Sequence, residues 1–137
     1  MGVLSQNEAL VHPTAGVTNT FEQKFAGEAV EAGMPLYLKA SDDKYYKADT
    51  DDAAKDDVRG IAVCDAAINQ AVVIQLTGQI DLGGTLTVGE VYVPGDTAGQ
   101  IKLNTDWATD DYMTILGVAI AADNLLLAIT TTGVVHP

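Results

Sequence analysis

The residues able to do chemistry in this chain are few and scattered. Its two histidines are His12, in a turn-like stretch near the start, and His136, beside Pro137. Neither stands with a Ser or Cys in a nucleophile-elbow pattern, so no activated nucleophile is expected. Asp49, Asp51, Asp52, Asp56 and Asp57 form the densest carboxylate cluster, which by type would suit calcium. An EF-hand loop counted from Asp49 needs Gly at its sixth position and Glu at its twelfth; Ala54 and Gly60 stand there instead. The cluster therefore reads as a solvated loop or helix start, and Asp110 and Asp111 occupy a comparable place further on. Gly83-Gly84 and Gly95 to Gly99 lack the following Lys and helix of a phosphate cradle and read as turns. Cys64 sits in the apolar run Gly60-Ile61-Ala62-Val63-Cys64 with no basic neighbour to stabilise a thiolate, which makes it a packing residue. Tyr37, Tyr45, Tyr46, Tyr92, Tyr112 and Trp107 could line a sugar site, but their spread along the chain favours packing. No catalytic residue, cofactor or metal is expected.

The elements that would position any site are strands. At 137 residues and 47% apolar content the chain is one domain long and able to bury a core. From Gly27 onward short β-branched and aliphatic runs alternate with Gly, Asp and Asn, the pattern of an all-β barrel or sandwich. Strands are expected at 34–40, 45–48, 60–66, 71–76, 85–88, 91–94, 101–103, 113–121 and 124–130. At most one short helix is expected, over 48–58, where Asp49 to Asp52 supply an acidic first turn.

Laying Gly33 on Gly89 reveals an internal duplication. Gly33 leads to Leu36-Tyr37-Leu38, a polar turn, Tyr45-Tyr46-Lys47 and then Gly60-Ile61-Ala62-Val63. Gly89 leads in the same order to Val91-Tyr92-Val93, a turn, Ile101-Lys102-Leu103 and Gly117-Val118-Ala119-Ile120. Tyr37 and Tyr92 are expected to match. Two units, about 26–80 and 81–137, are expected to close on each other as a compact pseudo-two-fold β-barrel or sandwich. Each alone would leave apolar faces and unpaired edges. Residues 1–25 show no sustained period and read as an extended N-terminal arm, with at most one short strand at 17–21.

The net charge of −12, from 19 acidic against 7 basic residues, opposes nucleic acid and anionic membranes. No apolar run approaches the length of a membrane span, and no signal sequence is read at the start.

The run Ala26-Gly27-Glu28-Ala29-Val30-Glu31-Ala32-Gly33-Met34-Pro35-Leu36-Tyr37-Leu38, with Asp43 to Ala48 and Arg59-Gly60-Ile61-Ala62, resembles the capsid decoration (cement) proteins of tailed bacteriophages. Gly84 to Val93 and Leu116 to Ala119 look like the second copy of the same pattern, and the likeness spans about four fifths of the chain. It implies a non-enzymatic virion protein on the outer surface of the phage head, made in the bacterial cytoplasm. Its partner would be the major capsid protein and its own state a homotrimer, clamping adjacent subunits of the expanded shell. In similar proteins an N-terminal arm adds a strand to a capsid loop; by position that arm would be Val3 to Phe21, with Val3, Leu4, Val11, Val17 and Phe21 as its apolar contacts. The alternatives are a head-fibre or receptor-binding module, for which the tyrosines and Trp107 would form an exposed patch, and a tail or baseplate subunit.

Overall fold

A computed structural model describes residues 4, 6, 10–49, 55, 57–95, 97–107 and 111–135. Among them the chain forms ten strands: β1 His12–Pro13, β2 Thr20–Phe25, β3 Pro35–Lys39, β4 Lys44–Lys47, β5 Val58–Ala62, β6 Ala71–Asp81, β7 Val91–Pro94, β8 Ile101–Leu103, β9 Tyr112–Ala121 and β10 Asn124–Val135. One turn of 3-10 helix, Asn104–Asp106, follows β8. The class is all-β. The helix expected over 48–58 falls largely on residues outside those described.

All the strand pairs are antiparallel, and the strands run β4-β3-β5-β6-β10-β9-β7-β8, an order that places the two duplicated sets on either side of a β6–β10 junction. The duplication is visible in individual hydrogen bonds. The Gly33 amide donates to the Ala62 carbonyl at 2.8 Å, and the Gly89 amide to the Ala119 carbonyl at 2.8 Å. Both glycines hold positive φ, +90° and +86°, which a side chain would resist, and each is the third residue of a turn, 31–34 and 87–90, that leads into β3 or β7.

Register corrects one expected match. Leu36 pairs with Gly60, and Tyr92 pairs with Gly117, so Tyr92 corresponds to Leu36, while Tyr37 corresponds to Val93. A slip of one residue moves a side chain to the other face of a strand, so the two tyrosines do different jobs. Gly60 and Gly117 are bare for one reason: a Cβ at Gly117 would overlap the Leu126 carbonyl oxygen, and one at Gly60 would stand 2.6 Å from that of Gln75.

Each unit has its own core. Leu36, Tyr45, Val72 and Ile74 are fully buried in the first, and Ile101, Leu116 and Leu125 in a larger second one that also takes Ile61, Ile80 and Leu82. Burying a side chain of this size stabilises the fold by about 1.5–3 kcal/mol. The sheet of the first unit curls until Ala26 bridges Tyr45, with the Gly27 amide donating to the Tyr45 carbonyl at 2.9 Å.

Strand β6 is longer than expected. Instead of stopping at Leu76 it passes through Gly78, at φ +105°, and runs to Asp81. Its first part pairs with β2 and β5, and its last part with β1 and β10. The boundary expected at 80/81 therefore lies inside one continuous strand. The strand expected at 85–88 is instead an approach to the Gly89 turn, held by the Leu86 amide on the Ala122 carbonyl and the Thr87 amide on the Tyr92 hydroxyl. Strand β5 ends at Ala62, short of the expected Ala66, where the chain turns so that the Asp65 carboxylate can accept from the Ala32 amide at 2.8 Å.

Candidate docking surface

The segment expected as an arm lies along the body wherever it is described. From His12, opposite Asp81, to Phe25, opposite Ala71, it runs antiparallel to β6, interrupted by an excursion over residues 15–19. Leu4 packs against the second core and its amide donates to the Ile101 carbonyl at 2.7 Å. Val11 is buried in the same core. Val17 and Phe21 are exposed, and Val3 is outside the described residues. The four described apolar arm residues are thus not one surface: Leu4 and Val11 pack on the second core, while Val17 and Phe21 face outside.

Strand β2 turns its apolar side chains outward. Phe21 is 46% and Phe25 57% exposed, while the alternate residues Glu22 and Lys24 turn to partners on the body. The period of two in Phe21-Glu22-Gln23-Lys24-Phe25 is the sequence signal for this face, and it adds Phe25 to the expected Phe21. Over Thr20–Gln23 no described residue pairs with the second edge of β2. Ile68, also exposed, lies close by, since the neighbouring Asn69 amide donates to the carbonyl of Ala26.

Glu22 is the anchor of this strand. Its carboxylate accepts two hydrogen bonds from Arg59, Nε to Oε1 at 3.0 Å and Nη2 to Oε2 at 2.6 Å, and a third from the Tyr45 hydroxyl at 2.5 Å. The Arg59 and Tyr45 bonds hold its carboxyl down at about 2. Burial, reinforced by the Glu22 bond, pushes the Tyr45 hydroxyl up. Lys24 Nζ stands 3.1 Å from Asp43. With both charges engaged on the body, the outer face keeps the two phenylalanines and Gln23.

Other candidate groups are dispersed. Tyr37, Tyr45 and Tyr92 are buried, and Tyr46 stacks near Tyr37 and donates its hydroxyl to Asp42 at 2.5 Å. Asp111 forms a buried ion pair with Lys102 at 2.8 Å. His12 Nε2 lies 3.5 Å from Asp81 at the surface. Asp57 accepts from the Thr131 hydroxyl, at the edge of a cleft of about 380 Å³ that also touches Leu38, Arg59, Leu76 and Ile129. Asp51, Asp52, Asp56, Asp110 and His136 lie outside the described residues. Among the described residues no three His, Cys, Asp or Glu side chains converge as metal ligands, and no helix is long and apolar enough to cross a membrane. Cys64 is a half-buried free thiol whose sulfur accepts weakly from the Val73 amide at 3.5 Å.

No family model matches this chain, and neither the curated proteins nor the solved structures contain a significant match to it.

Proposed function

We propose that this protein is a non-catalytic structural component of a tailed-phage virion, which docks as a homotrimer on the outer surface of the head. There it would stabilise the expanded shell by clamping adjacent major capsid proteins. Support comes from the cement-like residue pattern, which recurs in two units, and from the strongly acidic, doubled all-β body. The single observation that carries the reading is the outward face of β2. A surface strand that sends Phe21 and Phe25 into solvent and holds its charges inward is built to be covered.

On this reading the docking surface is Val17, Phe21 and Phe25, which are exposed, rather than Leu4 and Val11, which pack on the body. A strand of the shell protein added along Thr20–Gln23 would gain main-chain hydrogen bonds, and apolar side chains alternating along it would pack on the phenylalanines. Three such contacts from one trimer would raise the effective concentration at each. The test is saturable binding to expanded shells lacking the protein, read by sedimentation and cryo-EM. Density on the outer surface with β2 against the shell is expected; absence of binding would overturn the reading.

A further inference from the structure

The two units close their seams differently. In the first, residues 26 and 27 reach directly across to Tyr45 on β4. The strand registers make Ile101 on β8 the counterpart of Tyr45: Leu36 pairs with Lys47, Tyr92 pairs with Leu103, and each partner lies two residues beyond the closing position. The Ile101 carbonyl, however, receives the Leu4 amide, from the far end of the chain. Gln6 Nε2 donates to the carbonyls of Gly33 and, at 3.4 Å, Leu82; Val11 enters the second core; His12 and Pro13 pair with Asp81 and Ile80; and the Thr14 amide donates to the Gln79 carbonyl. The second unit thus has a slot between β8 and the end of β6, and Leu4, Gln6 and Val11 to Thr14 of the N-terminal segment occupy it.

We propose that this slot is a strand-acceptor site that takes the same segment, residues 4–14, from a second copy of the chain, so that copies associate by exchanging it. The occupant is set by the slot itself, whose partners at Ile101, Leu82, Ile80 and Gln79 are already satisfied by that sequence. A second copy would bring identical contacts, and such exchange is a low-cost route to closed assemblies.

The connection supplies the hinge. Thr14 lies beside Gln79 and Thr20 beside Thr77, so residues 15–19 make an excursion opposite the single residue Gly78. Residues 15–18 are exposed, and Gly16 stands at φ +82° with nothing within 4 Å of a Cβ built on it. Asn19 fixes the chain beyond the hinge: its Oδ1 accepts from Gln75 and from the Gln79 amide, and its Nδ2 donates to the Thr14 carbonyl across the neck. Straightened, residues 15–18 would span about 13–14 Å between the exchanged segment and Asn19. Exchange would bring together two chains of charge −12, so added salt should promote it. This inference stands apart from the docking reading at Phe21 and Phe25, since it uses the second unit and leaves β2 uncovered; only Val17, in the hinge, is common to both.

The test uses full-length chains carrying Cys64→Ser. One carries His12→Cys and the other Asp81→Cys, two positions that face each other in the strand register and are partly exposed. The two are mixed at high concentration in 0.5 M salt, incubated and oxidised slowly. A mixed disulfide at least about ten times more abundant than that of His12→Cys with the exposed Val88→Cys is expected. The double variant His12→Cys/Asp81→Cys, oxidised when dilute, should close within one chain and thereby report an intact slot. A mixed pair no better than the Val88→Cys control, beside a double variant that closes only within its own chain at every concentration, would overturn the proposal. So would a double variant that never closes, because residue 12 would then not occupy the slot.

Discussion

Arg59 grips Glu22 at both carboxylate oxygens, and this pair fixes β2, the strand that shows Phe21 and Phe25 to solvent. Because Tyr45 donates to the same carboxylate from within the first core, the ion pair joins β2, β4 and β5 at one point.

Acid should loosen this junction. The Glu22 carboxyl titrates at about 2 in the folded chain against 4.5 as its ordinary value, so between these pH values the unfolded chain binds the extra proton. The contribution is complete above about pH 4.5 and disappears as the pH falls towards 2. Glu22→Gln should cost about 1 kcal/mol at neutral pH, allowing for partial solvent exposure, and should flatten this acid limb. Urea melts from pH 2 to 7 on both proteins would measure it, and an unchanged slope would remove Glu22 from the account.

Gly117→Ala should be among the most damaging small substitutions, at roughly 3 kcal/mol, because the new methyl meets the Leu126 backbone in the middle of the β9–β10 pair. Gly89→Ala meets nothing and should cost about 1 kcal/mol from its left-handed backbone alone. Thermal melts of the two variants side by side distinguish crowding from backbone strain.

Lys102 and Asp111 are each almost wholly buried where they meet. Lys102→Met should cost about 3–5 kcal/mol by leaving a charge buried, and the double variant Lys102→Met/Asp111→Leu should regain most of it. A double variant as unstable as the single would mean that the pair contributes through packing.

Phe21→Ser and Phe25→Ser should each shift stability by no more than about 0.5 kcal/mol, since both rings face solvent. Together they should weaken binding to expanded shells at least tenfold. Circular dichroism melts and shell sedimentation on the same preparations check the two halves of this expectation.

The duplication was legible because glycine has few uses: Gly33, Gly60, Gly89 and Gly117 each answer a steric demand that recurs in both units. What escaped was set by neighbours distant in sequence. Tyr37 and Tyr92 look alike in a row of letters, and only pairing with Gly60 and Gly117 reveals the one-residue offset. Thr85 to Val88 has strand composition, yet its hydrogen bonds go to the Tyr92 hydroxyl and to Ala122. Val11 sits in a polar, proline-containing stretch whose burial depends on Ile80 and Leu82, about seventy residues away, so no local pattern could announce it. The outward phenylalanines were legible in the alternation of β2, but the anchoring of Glu22 by Arg59 was not.

Sharing β6 has a thermodynamic consequence. Two similar units joined by a flexible tether could melt one after the other, each leaving its neighbour intact. Here the strand that ends the first unit continues, through a register shift at Leu76, as the strand that begins the second. Neither can release its portion of β6 without exposing the other's edge. The pair should behave as one cooperative body, with calorimetric and van't Hoff enthalpies in agreement.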